Sequence, residues 1–374
     1  MYSYMNQIAF ITGYSGTRPA GLERFLVELL KAMDKEPKAK SVVVYTKKGN
    51  GLKQAFAREN IQNIQLFEIG FGKLWKDIGL FFAPKADIYI FNGPQVPIFF
   101  APKKYSVIAY DFAYRQVTAE TLQEKCKNKV TDYISSLAFR RAQLILTLSE
   151  TIKREVHEIF HAPLKKIHPI YAGFLDVCKL HQAESLSFSF EKFFLFVSTL
   201  KERKNVFGVI QGFNHSQATH PNDSHLVIAG KYDKESRYYQ SLQKYIIENN
   251  LESKVHFLGH ITDNQLSWLY QNATALVSPS FVEGFGLPLL EAFLCRLPVI
   301  TSRDSCQSEI TGDAALLVNP YEFQEIGDAM STLLAQPERR AILIEKGLKR
   351  AKNFSWPKTA QSLFQELEQA FHST

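Results

Sequence analysis

The chain is predicted to fold as two successive α/β units, each built on a parallel sheet with helices between its strands. Three observations predict this. Its 374 residues exceed what one hydrophobic core normally serves. Short apolar runs alternate with stretches of helical periodicity, the pattern of buried parallel strands joined by crossover helices. The alternation then starts afresh near Phe193 after a polar interval, which suits two sheets better than one very large sheet.

The first strand is expected at residues 8–12, followed by a loop holding Gly13, Gly16 and Gly21. A helix over 22–33 follows, because Leu22, Phe25, Leu26, Leu29 and Leu30 repeat at helical spacing. Further strands are expected at 41–46, 64–69, 87–91, 107–110 and 144–147, with helices at 131–141 and 150–160. Residues 179–189 read as the connection. The second alternation places strands at 193–198, 226–229, 255–257, 275–277 and 298–301, a helix starting near Asn205, and closing helices over 337–352 and 357–371.

Hydrophobic content is 45% and charged content 22%, both ordinary for a globular protein. No apolar run approaches the roughly 20 residues that cross a bilayer. Residues 1–6 carry no Lys or Arg, so no secretory signal is read and the expected location is the cytoplasm or the cytosolic face of a membrane. The four cysteines, Cys126, Cys178, Cys295 and Cys306, have no C-x-x-C spacing and are read as reduced thiols. No dedicated metal site is assigned. Residues 1–180 hold 26 Lys and Arg against 16 Asp and Glu, whereas residues 181–374 hold 18 against 21. The basic first half suits contact with anionic lipid head groups, through Lys103-Lys104, Lys125/Lys127/Lys129 or Arg140-Arg141 beside Ile98-Phe99-Phe100; solvated charge on unrelated faces is the alternative. Nucleic acid is not an expected partner, because no recognition motif accompanies the charge.

The most informative stretch is PSFVEGFGLPLLEA, residues 279–292. A buried strand leads through a tight Gly284-Phe285-Gly286 loop into a helix beginning near Pro288, whose missing N–H suits a first helical turn. Glycines let backbone approach a ligand closely, and the free N–H groups of a helix start favour anions or sugar hydroxyls. Glu283 on the loop and Glu291 inside the helix are read as facing one crevice, one carboxylate for pyranose hydroxyls and the other for ribose. Lys201-Glu202-Arg203-Lys204-Asn205 follows a strand at the switch into a helix, where two cations offset the charge of a departing diphosphate; a solvated basic turn is the alternative.

These residues carry a resemblance that covers nearly the whole chain. It runs from AGLER (20–24) through Tyr110-Asp111, LSE (148–150), YAGFLD (171–176), ERKN (202–205) and VHFLGHI (255–261). It continues through EGFGLPLLEA to LPVITS (297–302) and GDAALLVNP (312–320). The chain resembles glycosyltransferase family 4, the glycosyl transferases group 1 family of retaining enzymes, and within it bacterial mannosyltransferases. The resemblance implies the GT-B fold, two Rossmann-like domains with parallel sheets facing across a cleft: residues 1–182 on the acceptor side, 183–355 binding the nucleotide sugar, and 356–374 as a helix crossing back to the first domain. It implies that Arg203 and Lys204 bind the diphosphate, Glu283 the sugar and Glu291 the ribose. Gly21, Asp111, Gly284, Phe285, Gly286 and Leu287 would line the donor, Phe257 and Leu258 the base. Tyr110 stands where many relatives have a His that contacts the donor sugar, and Ser198 and Arg296 stand where Gly is common.

The activity implied is transfer of a hexose, mannose from GDP-mannose, to a saccharide or lipid-linked saccharide in surface-polysaccharide or lipopolysaccharide assembly. It needs no metal and no cofactor beyond the nucleotide-sugar co-substrate. A catalytically silent sugar-nucleotide-binding subunit and a nucleotide-sugar epimerase on the same architecture are the rivals.

Overall fold

The computed structural model describes residues 7–13, 21–97, 101–115, 122–188 and 190–372. Gly16 and Ile98-Phe99-Phe100, singled out above, lie outside the described residues. The chain forms two compact units. The first takes the described residues of Met1–Asp111, Ala119–Gly173 and Phe354–Thr374, the second those of Phe112–Thr118 and Phe174–Asn353.

The first unit is built on seven strands: β1 (Ile8–Thr12), β2 (Val42–Lys47), β3 (Gln65–Ile69), β4 (Ile88–Phe91), β5 (Tyr105–Ala109), β6 (Leu144–Thr147) and β7 (Ile167–Pro169). Their order is β3-β2-β1-β4-β5-β6-β7, and every pairing is parallel, with Ile8 opposite both Val42 and Ile88. The second unit has six: β8 (Phe193–Val197), β9 (His225–Ala229), β10 (Val255–Gly259), β11 (Ala275–Ser278), β12 (Val299–Ser302) and β13 (Leu316–Val318). Their order, β10-β9-β8-β11-β12-β13, repeats the same winding, again wholly parallel. Both units are therefore Rossmann-like, and in each the strand order reverses beside the first strand. The crevice at the carboxyl ends of the strands at such a reversal is where open α/β sheets take ligands.

The strands read as near-continuous apolar runs because both sheet faces are covered. In the second unit Phe194, Phe196, Leu226 and Ile228 pack against Val206, Val209 and Phe213 of the Val206–Thr219 helix. That helix lies close against Phe323–Ala335. A Cβ added to Gly327 would come within 2.4 Å of the Gly212 carbonyl oxygen, so two backbones touch where only glycine fits.

Several expectations shift. The strand expected at 107–110 occupies Tyr105–Ala109, and the helix expected at 131–141 begins nine residues earlier, at Leu122. β7 and β13 escaped the sequence reading because each has three residues and lies at a sheet edge; Pro169, which ends β7, is tolerated at such a position. The chain changes unit at Gly173–Phe174 rather than at 182–183. Val177 is buried in the second unit, and the Val177–Leu180 helix packs on the Asp263–Asn272 helix. At the far end the chain returns to the first unit from Phe354, and the Trp356–His372 helix packs on Gly21–Met33.

The reading of four reduced thiols is corrected. Cys178 and Cys295 form a disulfide with Cα atoms 5.6 Å apart, while Cys126 and Cys306 are not disulfide-bonded. The pairing is a tertiary contact across 117 residues, which local spacing cannot report.

Candidate active site

In the second unit the two segments flanking the sheet's reversal converge. After β8 the chain makes a short 3-10 turn, Glu202–Lys204, and after β11 it enters the Ser280–Gly286 loop. Arg203 Nη1 donates to the Val282 carbonyl at 3.2 Å and lies 3.5 Å from Glu283 Oε2. Lys204 Nζ forms a direct ion pair with the same carboxylate oxygen. The backbone closes the arrangement, Phe281 N–H donating to the Arg203 carbonyl at 2.9 Å. The basic turn and the glutamate loop, 79 residues apart in sequence, thus form one polar cluster.

Asn205 holds the two segments together. It adopts a left-handed conformation, φ 59°, tolerated better by Asn than by most residues, and caps the Val206–Thr219 helix by accepting the Gly208 N–H at 3.1 Å. Its Nδ2 donates to the carbonyls of Pro279 at 3.1 Å and Pro320 at 2.6 Å. An Asn at a strand-to-helix switch is the sequence signal for this role.

The loop ends at Gly286, whose φ of 96° strains any side chain; an added Cβ would also meet Leu289 Cδ1 at 2.9 Å. Leu287 opens the helix Leu287–Leu294, with Pro288 in its first turn. Gly284 and Phe285 are buried within the loop. Cys306 Sγ lies 2.6 Å from the Glu283 carbonyl. Glu291 is only 4% exposed and accepts the Tyr270 hydroxyl at 3.1 Å, a partner that sequence gave no reason to expect.

Phe257 and Leu258 lie near the carboxyl end of β10, where a register shift separates Phe257 from Gly259. Phe257 belongs to an aromatic cluster that the sequence reading missed. Tyr232 and Tyr239 stack with ring centres 4.8 Å apart, and Phe257 meets both edge-on at 5.7 and 5.4 Å. Tyr232 lies three residues beyond the end of β9, so a planar group at this end of the sheet would find aromatic faces.

In the first unit Tyr110 and Asp111 follow β5. The Tyr110 hydroxyl donates to Asn92 Oδ1, and Asn92 Nδ2 donates to Thr12 Oγ1 at 3.2 Å, linking the ends of β5, β4 and β1. Phe25 packs against the Tyr110 ring edge-on at 5.3 Å, and burial pushes the Tyr110 hydroxyl pKa upward, so it stays a neutral donor and acceptor. The Asp111 charge is among the influences that raise the Glu155 carboxyl pKa, after burial itself. Gly21 opens its helix, and among the described residues no atom lies within 4 Å of where a Cβ would stand.

His157-Glu158-Ile159-Phe160-His161 carries a spacing that, on a helix, presents two imidazoles on one face to zinc. Here the helix ends between them. His161 is the left-handed C-cap, φ 56°, and His157 Nδ1 lies 2.9 Å from the Ala162 carbonyl. Among the described residues no group of three or more His, Cys, Asp or Glu is arranged to hold a metal ion.

Two parallel-sheet Rossmann-like units of this winding define the GT-B fold. Residues 179–350 match the Glycosyl transferases group 1 family. Over this segment the chain is similar to that family, and it is similar to the bacterial O-antigen mannosyltransferases. It is 29% identical to O-antigen chain mannosyltransferase B of Escherichia coli over 282 residues, 72% of this chain and 71% of the relative. It is 28% identical to O-antigen chain mannosyltransferase RfbU of Salmonella typhimurium, across 55% of each chain. The crystal structure of Anabaena HepE with UDP and glucose superposes with a TM-score of 0.71 at 19% identity, covering 97% of this chain and all of that one, and bears on the fold.

Proposed function

We propose that this chain is a retaining, nucleotide-sugar-dependent glycosyltransferase that moves mannose from GDP-mannose to a saccharide acceptor, lipid-linked, in surface-polysaccharide assembly. The observation that carries the reading is the Arg203–Lys204–Glu283 cluster, inside the segment that matches the family. Fixed cations beside a carboxylate suit a sugar diphosphate: Arg203 and Lys204 take the charge that grows on the leaving diphosphate, and Glu283 holds the sugar hydroxyls. The C1–O bond to phosphate breaks while the bond from C1 to the acceptor oxygen forms on the same face, and the acceptor's proton passes to the departing phosphate. Glu291 serves the ribose, Phe257, Leu258 and the neighbouring tyrosines the base, and Gly21, Tyr110 and Asp111 complete the donor and acceptor contacts. The names of the two O-antigen mannosyltransferases support the choice of mannose.

Work at the cytosolic face of a membrane is part of the proposal, supported by the excess of 26 Lys and Arg over 16 Asp and Glu in residues 1–180 and by the exposure of Lys125, Lys127 and Lys129. Among the described residues no helix is long and apolar enough to cross a membrane.

The test is transfer from GDP-mannose, UDP-glucose and ADP-glucose to a panel of saccharide acceptors, with the anomeric configuration read by NMR. GDP-mannose should give a product of retained configuration, and Glu283→Ala should lower turnover at least about 100-fold with an unchanged melting temperature. Near-normal turnover in that variant would remove Glu283 from the site. A product from UDP-glucose alone would reassign the donor to the nucleotide sugar bound in a HepE crystal structure. Donor binding without product on any acceptor would favour a silent subunit, and altered sugar without acceptor an epimerase.

A further inference from the structure

An amphipathic segment of the first unit is turned outward. Directly after β3 the chain runs through a continuous helical stretch: a 3-10 turn (Gly72–Leu74), a wide turn (Trp75–Gly79) and a last turn (Leu80–Phe82). Trp75 and Gly79 point inward and are buried. Five apolar side chains of the same stretch, Phe71, Leu74, Ile78, Phe81 and Phe82, are exposed, Phe81 at 57% and Phe82 at 68%. Phe71 and Phe82 stack with ring centres 5.8 Å apart, and Phe81 meets Phe82 edge-on at 5.2 Å, so the aromatic rings form one surface. Clustered apolar side chains facing water mark an interaction surface.

The charge around the patch indicates what covers it. β3 is an edge strand, and the end of its neighbour β2 brings Lys47 and Lys48 alongside: Lys47 is in register with Ile69, and Lys48 N–H donates to the Ile69 carbonyl at 2.8 Å. Lys73 within the segment and Lys85 just beyond it are exposed too. Two carboxylates lie nearby: Asp77, within the segment, sits beside Lys76, and Glu68 accepts the Gly49 N–H at 3.0 Å. Apolar rings projecting between lysines match the interfacial zone of a bilayer, where rings enter the acyl boundary and ammonium groups meet phosphates.

We propose that the Phe71–Phe82 face docks the protein on an anionic phospholipid membrane. The inference shares with the reading above only a membrane partner, and it places the contact on these aromatics rather than on Lys125, Lys127 and Lys129.

The experiment is flotation of the full chain with vesicles of phosphatidylethanolamine and phosphatidylglycerol, and with phosphatidylcholine vesicles as control. Wild-type protein should float with the anionic vesicles. Phe71→Ser/Phe81→Ser/Phe82→Ser should lose about tenfold or more in vesicle affinity while keeping its transfer rate to a soluble acceptor. Should the triple variant not fold, Phe82→Asp alone, at the most exposed of these rings, should show the same loss. Lys48→Glu/Lys73→Glu should weaken flotation and flatten its dependence on salt. Wild-type protein that stays unbound, or aromatic variants that float like wild type, would overturn the proposal. A dimer dispersed by the triple variant, without vesicle binding, would assign the face to a second copy and overturn it equally. Loss of flotation only on reversing Lys125, Lys127 and Lys129 would keep the membrane but reject this surface, and transfer on the soluble acceptor reports separately on the enzymatic reading.

Discussion

Arg296 illustrates how a single residue can be read at two levels. The Leu287–Leu294 helix ends with Leu297 N–H donating to the Ala292 carbonyl at 2.9 Å, and Arg296 takes the left-handed position this closure requires, φ 59°. Glycine is the usual occupant there because it has no Cβ to crowd the carbonyl. Arg296→Gly is therefore expected to stabilise the second unit by about 0.5–1 kcal/mol, read as a higher melting temperature, since the left-handed strain is relieved. Its exposed ion pair with Glu345 at 3.4 Å is too solvated to offset that gain. The family pattern flagged this position without explaining it, and backbone geometry supplies the reason. Elsewhere single residues were legible by type but not by partner. Glu283 and Lys204 announce themselves as a carboxylate and a cation at strand ends, but nothing in sequence says that they meet, nor that Tyr270 holds Glu291.

Elements carry the next layer. Strand alternation was legible because parallel strands are apolar on both faces, and the second sheet's central strands fall close to where hydrophobicity places them. The three-residue edge strands were not, since too few residues are buried to leave a pattern. The disulfide between the Val177–Leu180 helix and the C-cap of Leu287–Leu294 belongs to the same class of long-range fact. Cys178→Ser is expected to lower stability by about 2–4 kcal/mol under oxidising conditions, because the bridge closes a long loop in the unfolded chain. Wild-type protein in excess reductant should fall to the melting temperature of the variant. Coincident melts with and without reductant would show that the two sulfurs are not joined in solution.

At the scale of the whole molecule, the first unit is assembled from both ends of the chain. Leu363, Phe364 and Leu367 of the last helix are buried in it, and each apolar side chain of this size contributes about 1.5–3 kcal/mol on burial. That sum rivals the net stability of a domain, about 5–15 kcal/mol. A chain ended at Asn353 is therefore expected to lose the first unit to limited proteolysis while the second still gains thermal stability from its nucleotide sugar. Equal resistance of both units would show that the last helix is dispensable. The apolar periodicity of that helix was plain in sequence; which unit it serves depends on a long-range contact. The same threading limits gene shuffling. A recombinant that trades everything before Gly173 for a homologous stretch inherits a final helix evolved against another surface, so donor and acceptor preferences can be exchanged cleanly only when the tail travels with the opening half.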